Sequence, residues 1–180
     1  TSVYGSASDN SYGGRGDYGR SLRINADGTI IAVGTVYNQD SNDIWLRKYA
    51  ANGNIIWTKT YDYAPWGWSY DESGNDVVVD ADYAYVTGSV DNNVWIGKFS
   101  QVNGDLADQS FYDGGSGYDV GYAITRTADG SELVVAGAVD SYDQSTGRGY
   151  GSEIWLGKFN ASDLSRVWVS TYIPEVHLEW

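Results

Sequence analysis

Asp43-Ile-Trp-Leu-Arg-Lys-Tyr49 returns twice along the chain, as Asn93-Val-Trp-Ile-Gly-Lys-Phe99 and as Glu153-Ile-Trp-Leu-Gly-Lys-Phe159. Each copy sets an acid or amide, a β-branched residue, Trp, an aliphatic, a spacer, Lys and an aromatic in the same order. Trp45, Trp95 and Trp155 stand about 50 and then about 60 residues apart, so one unit recurs and its last copy carries an insertion. Repetition on this scale signals stacked supersecondary units, each burying its apolar face against the next.

Outward from the first heptad, the signals are those of short strands and tight turns. Ser21–Ile24 alternates, Asn25-Ala-Asp-Gly28 reads as a turn, and Thr29–Val36 is the nearly continuous apolar, β-branched run of a strand covered on both faces. Asn52-Gly53 closes a hairpin into Ile55–Tyr61. The first unit, 17–62, is therefore a four-stranded antiparallel meander. Units over 71–115 and 117–172 repeat it, with the insertion at 140–152. The second unit lacks the Asp-Gly turn, and Ala107 stands near where the other units carry Trp57 and Trp168. Residues 1–16 resemble the ends of the later units, such as Thr60-Tyr61-Asp62 and Ser170-Thr171-Tyr172, and read as an orphan last strand followed by a loop; 173–180 is a tail. Gly34, Gly88 and Gly137 recur late in the second strand, where glycine marks a bulge or the close approach of another backbone. Crowding near a central axis would explain them.

Taken together, Gly19, Asp27, Gly28, Gly34, Trp45, Lys48, Gly53, Trp57 and Tyr61 form a pattern that resembles the β-propeller repeat of secreted bacterial and archaeal proteins, and the likeness extends over residues 17–172. It implies an all-β fold of three four-stranded antiparallel propeller-like blades plus an extra N-terminal strand. Propellers close with about four to eight blades, so three leave open faces and unpaired edges. Three remedies follow: two chains joined in a six-bladed ring, membership in a larger chain, or an end strand that completes the blade of a neighbour. A β-trefoil, naturally threefold, is the alternative fold. The family has no single activity, so the resemblance brings no catalytic residues with it.

Composition narrows the function classes. The 180 residues suit one domain with a real core. Aromatics at 15% and 23 glycines accompany few helix formers. A formal charge of −13 argues against nucleic acid, which needs clustered Lys and Arg. There is no Cys for a disulfide or thiolate metal site, and no apolar run of the roughly 20 residues that span a bilayer. The start at Thr1 and the lack of Met point to a processed chain, and Asn160-Ala-Ser162 is a glycosylation sequon. An extracellular or cell-surface location is the expectation.

Trp45, Trp95 and Trp155 are expected to pack blade on blade, with Lys48, Lys98 and Lys158 snorkelling past them to water. The loop residues Tyr63, Trp66, Trp68 and Tyr70 offer aromatic faces to a glycan or surface protein, or else plug the space between the first two blades. Asp17, Glu72 and Asp119 recur two residues before Gly19, Gly74 and Gly121, either as turn acceptors or as a cation site. Asn38, Asp40, Asn42 and Asp43 are oxygen-rich enough for Ca²⁺ but lack the spacing of a Ca²⁺ loop; no other cofactor is expected. His177 is the only His, which leaves no partner for a His-rich zinc site. The resulting expectation is a non-catalytic extracellular structural protein that self-associates through its end strand and open blade faces. A glycan- or protein-binding module is the alternative, and a glycan-cleaving pair of carboxylates is a third reading.

Overall fold

The computed structural model of the chain describes residues 16–38, 41–63, 70–115, 117–143 and 148–172; for 141–143 and 148–150 it describes the backbone alone. Among the described residues there are strands and no helix. Blade 1 consists of β1 (Tyr18–Ile24), β2 (Ile30–Tyr37), β3 (Asn42–Tyr49) and β4 (Ile55–Tyr61). Blade 2 consists of β5 (Ser73–Val79), β6 (Tyr83–Val90), β7 (Asn93–Ser100) and β8 (Leu106–Tyr112). Blade 3 consists of β9 (Val120–Arg126), β10 (Glu132–Asp143), β11 (Arg148–Asn160) and β12 (Arg166–Tyr172). Each sheet is an antiparallel meander paired within its own unit. That is the blade arrangement of a propeller, whereas a trefoil pools strands from all its units in one barrel. The three sheets do not close on themselves. The expected N-terminal strand lies outside the described residues.

Local chemistry explains the turns. Gly28, Gly53 and Gly130 adopt positive φ in tight hairpins, which glycine does without a Cβ clash. Blade 2 makes its first hairpin without Asp-Gly, because Asp80 Oδ1 accepts the N–H groups of Asp82 and Tyr83 at 2.9 and 2.8 Å. The insertion is not a free loop. Its two arms pair as a prolonged β10–β11 ladder, Asp140 with Ser152, Ser141 with Gly151 and Asp143 with Arg148.

In each blade the first strand is bulged opposite the recurrent glycine. A Cβ on Gly34, Gly88 or Gly137 would lie 2.0, 1.6 or 2.1 Å from the carbonyl oxygen of Tyr18, Ser73 or Val120. These glycines thus accommodate a bulge within their own blade rather than crowding at an axis. Crowding between blades falls instead on Gly74 and Gly121, whose Cβ would strike Val33 and Ile44, or Thr87, of the preceding blade.

Strands β1, β5 and β9 line up innermost, with β5 touching both of the others. Ile31, Val33, Ile44 and Leu46 of blade 1 pack on Val77, Ala84, Val86, Trp95 and Phe99 of blade 2. Tyr85, Val94 and Ile96 on the other face of blade 2 pack on Leu133, Val135, Trp155 and Phe159 of blade 3. Blade 2 is therefore buried on both faces.

Candidate functional site

The two seams between blades are built alike. At the first, Tyr61 stacks on Trp95 with ring centroids 5.3 Å apart. Both Tyr61 Oη and Trp95 Nε1 donate to Gln109 Oε1, at 2.6 and 3.1 Å. The Trp95 ring lies over Gly97, where a Cβ would come within 2.2 Å of it. Beside them Lys48 Nζ and Trp57 Nε1 both donate to the carbonyl of Gln101, in the β7–β8 turn, at 3.0 and 3.2 Å. At the second seam, Tyr112 meets Trp155 at 5.0 Å, Trp155 covers Gly157, and Lys98 Nζ donates to the carbonyls of Ala161 and Ser162 at 3.1 and 2.7 Å.

The conserved geometry corrects one expectation from sequence. Lys48 and Lys98 do not reach for water; each caps the outer turn of the next blade, and Lys98 is buried over the Tyr83 ring at 4.3 Å. Strand register also places Asp108, rather than Ala107, opposite Lys98 where Trp57 and Trp168 stand opposite Lys48 and Lys158.

Blade 3 repeats the donor half of a seam on its outer face. Ile154, Leu156, Lys158, Trp168 and Tyr172 share one face and occupy the register positions of Ile44, Leu46, Lys48, Trp57 and Tyr61. The residue types are identical at all five positions. On blade 1 Ile44 and Leu46 are fully buried by blade 2; on blade 3 Ile154 is 62% exposed, Leu156 38%, Trp168 41% and Tyr172 61%. Lys158 is turned onto Glu132 at 2.5 Å instead of a turn carbonyl. The sequence reading expected open blade faces but did not single out these five residues, although the repeat register contained the signal.

The opposite end of the stack presents the acceptor half. Trp45 and Tyr49 stand at the positions of Trp95 and Phe99, but Trp45 is only partly buried, unlike Trp95 and Trp155. Arg47 replaces the glycine beneath the indole. Its guanidinium lies 5.0 Å from the Trp45 ring and 5.8 Å from that of Tyr49, and its Nε donates to Thr58 Oγ1 at 2.8 Å.

Of the aromatic loop, Tyr63 packs on Phe111 with centroids 5.3 Å apart and joins the first seam, and Tyr70 is partly buried. Trp66 and Trp68 lie outside the described residues, as does Asp40. Asn38 Nδ2 and Ser41 Oγ both donate to the Asp43 carboxylate. Two of the recurrent acids act as backbone acceptors: Asp17 takes the N–H of Tyr37 at 3.1 Å, and Asp119 takes those of Gly114 and Asp140 at 2.5 and 2.9 Å. Glu72 differs from both, as described below.

No protein-family profile and no curated protein matches the sequence. Among solved structures, the chain is similar to a crystal structure of the eukaryotic initiation factor. Identity is 12% over 88% of this chain and 33% of that one, with a TM-score of 0.50. A tail fiber of Staphylococcus aureus phage P68 matches with 10% identity over 87% of this chain and 39% of that one, at a TM-score of 0.28. The chain spans between a third and two fifths of the length of these structures. The first likeness supports the repeated β fold and nothing about activity.

Proposed function

We propose that the protein is a non-catalytic structural module that works outside the cell by self-association, blade 3 of one copy docking on blade 1 of the next. The observation that carries this reading is the five-residue face Ile154, Leu156, Lys158, Trp168 and Tyr172, identical to the face by which blade 1 already holds blade 2. Burying one such aliphatic side chain is worth about 1.5–3 kcal/mol. The contact is heterologous: it closes if two copies complete a six-bladed ring, and it runs on as a filament if the rotation does not close.

Light scattering with negative-stain imaging tests it. Assemblies of the wild type, reduced to monomers of 19.7 kDa by Ile154→Asp with Leu156→Asp, are the expected result. A wild type that stays monomeric at every concentration overturns the proposal, and so does assembly that survives the double substitution. Loss of assembly on deleting 1–16, with the double substitution harmless, would instead assign association to the end strand.

A further inference from the structure

We propose that Asp43, Asp62 and Glu72 form a Ca²⁺ site that ties blade 1 to blade 2. One carboxylate oxygen from each lies within 4.8 Å of the others. Two oxygens on opposite sides of a single Ca²⁺ stand about 4.8 Å apart, since each sits about 2.4 Å from the ion. The three groups arrive from separate elements: Asp43 from β3, Asp62 just after β4, and Glu72 just before β5 of the next blade. An ion held by all three would bridge the seam.

The second observation is Glu72 itself. It is 1% exposed; among the described residues, Oε1 accepts only a 3.3 Å hydrogen bond from the N–H of Tyr63, and the buried Oε2 has no hydrogen-bond partner. A buried carboxylate oxygen without a donor is costly unless something positive meets it. Among the described residues, no Lys or Arg pairs with any of the three acids. Burial, reinforced by the charges of Asp43, Asp62 and Asp71, pushes the Glu72 carboxyl up to about 9. The donor set is all oxygen and hard, which suits Ca²⁺ and not a thiolate- or imidazole-seeking metal. Asn38 donates to Oδ2 and Ser41 to Oδ1 of Asp43, and together they orient that carboxylate.

The next seam shows what the site is not. There Asn93 takes the place of Asp43, and both oxygens of Asp119, the counterpart of Glu72, are satisfied by backbone N–H groups. Register alone therefore does not create the cluster.

Calorimetric titration of chelator-treated protein with CaCl₂, paired with melting curves, tests the site. One Ca²⁺ per chain is expected, with Kd on the order of 0.1–1 mM as in extracellular modules, and with a rise in Tm. Asp62→Asn, at an exposed position, is expected to weaken binding by roughly tenfold or more. Asp113→Asn, its counterpart at the next seam, should change nothing. Absence of saturable heat and of a Tm shift up to about 10 mM overturns the proposal. So does unchanged affinity in Asp62→Asn, which would mark an adventitious ion only. Glu72→Gln, if it folds, must also lose binding; the exposed Asp62 variant decides the matter if it does not.

Discussion

Strands β7 and β11 have the same sequence pattern and opposite fates. In β7, Val94, Trp95 and Ile96 are all buried, because blade 2 has a blade on either side. In β11, Trp155 is buried while its neighbours Ile154 and Leu156 face outward. The residues are equivalent; only the presence of a neighbour differs. Blade 3 thus has the composition of an interior blade in a position with one partner among the described residues. The outer face of blade 3 keeps the apolar residues that a filled seam buries. Blade 1 departs from the interior pattern most at Arg47, which stands where Gly97 and Gly157 do and makes the two ends of the stack unlike each other.

The comparison can be broken most directly at the tryptophans. Trp95→Ala and Trp155→Ala each empty a fully buried indole site at a seam, and the expected loss is about 3–5 kcal/mol. Trp45→Ala, at a partly buried position, should cost about 1–2 kcal/mol. Urea unfolding at low protein concentration reads the difference. Equal losses at Trp45 and Trp95 would show that the outer indole is covered as fully as the inner ones, and the contrast between end and interior would fail.

The lysines offer a finer version of the same contrast. Lys98→Met removes the donor from the carbonyls of Ala161 and Ser162 while keeping most of the side chain's bulk. A loss of about 1–3 kcal/mol is expected for acceptors left unsatisfied in a buried seam. Lys158→Met breaks only the partly buried pair with Glu132, which should be worth about 1 kcal/mol in the monomer. If assembly occurs as proposed, Lys158→Met should weaken it, because Lys158 then caps the β3–β4 turn of the neighbouring copy. Equal effects of the two substitutions on monomer stability would remove the distinction between filled and open seams.

Much of this was legible in the sequence because it is written three times. The heptads around Trp45, Trp95 and Trp155, the Asp-Gly and Asn-Gly turns and the late glycines together set strand number and order. What those residues touch was less legible. Gly34 looked like axial crowding but faces the Tyr18 carbonyl of the adjoining, bulged strand in its own blade. Lys98 looked like a snorkelling side chain, yet its acceptors belong to a turn more than sixty residues on, which no local pattern reports. Glu72 and Asp119 share a register and differ in whether backbone donors reach them. Asp62 carried no signal of its own; its role arises only when β4 brings it beside Asp43 and Glu72. Periodicity transmits the blade, whereas the chemistry of a seam depends on tertiary proximity between units.

The smallest expected effect bears most directly on the two ends of the stack. In both filled seams the indole lies on a glycine, and a Cβ at Gly97 or Gly157 would fall 2.2 or 2.4 Å from the ring. Arg47 occupies that bed in blade 1, so Trp45 cannot take the interior pose while the arginine is there. Arg47→Gly clears it. The monomer should lose about 1 kcal/mol with the Thr58 hydrogen bond and the stacking on Trp45 and Tyr49. Association between copies should tighten by roughly fivefold, about 1 kcal/mol, if the interface is a third seam of the interior kind. Sedimentation equilibrium measures that change. Weakened association would mean that the guanidinium is itself an interface group. The acceptor face would then be specialised for a contact between molecules, and blade 3 would be meeting something other than a copy of the internal seam.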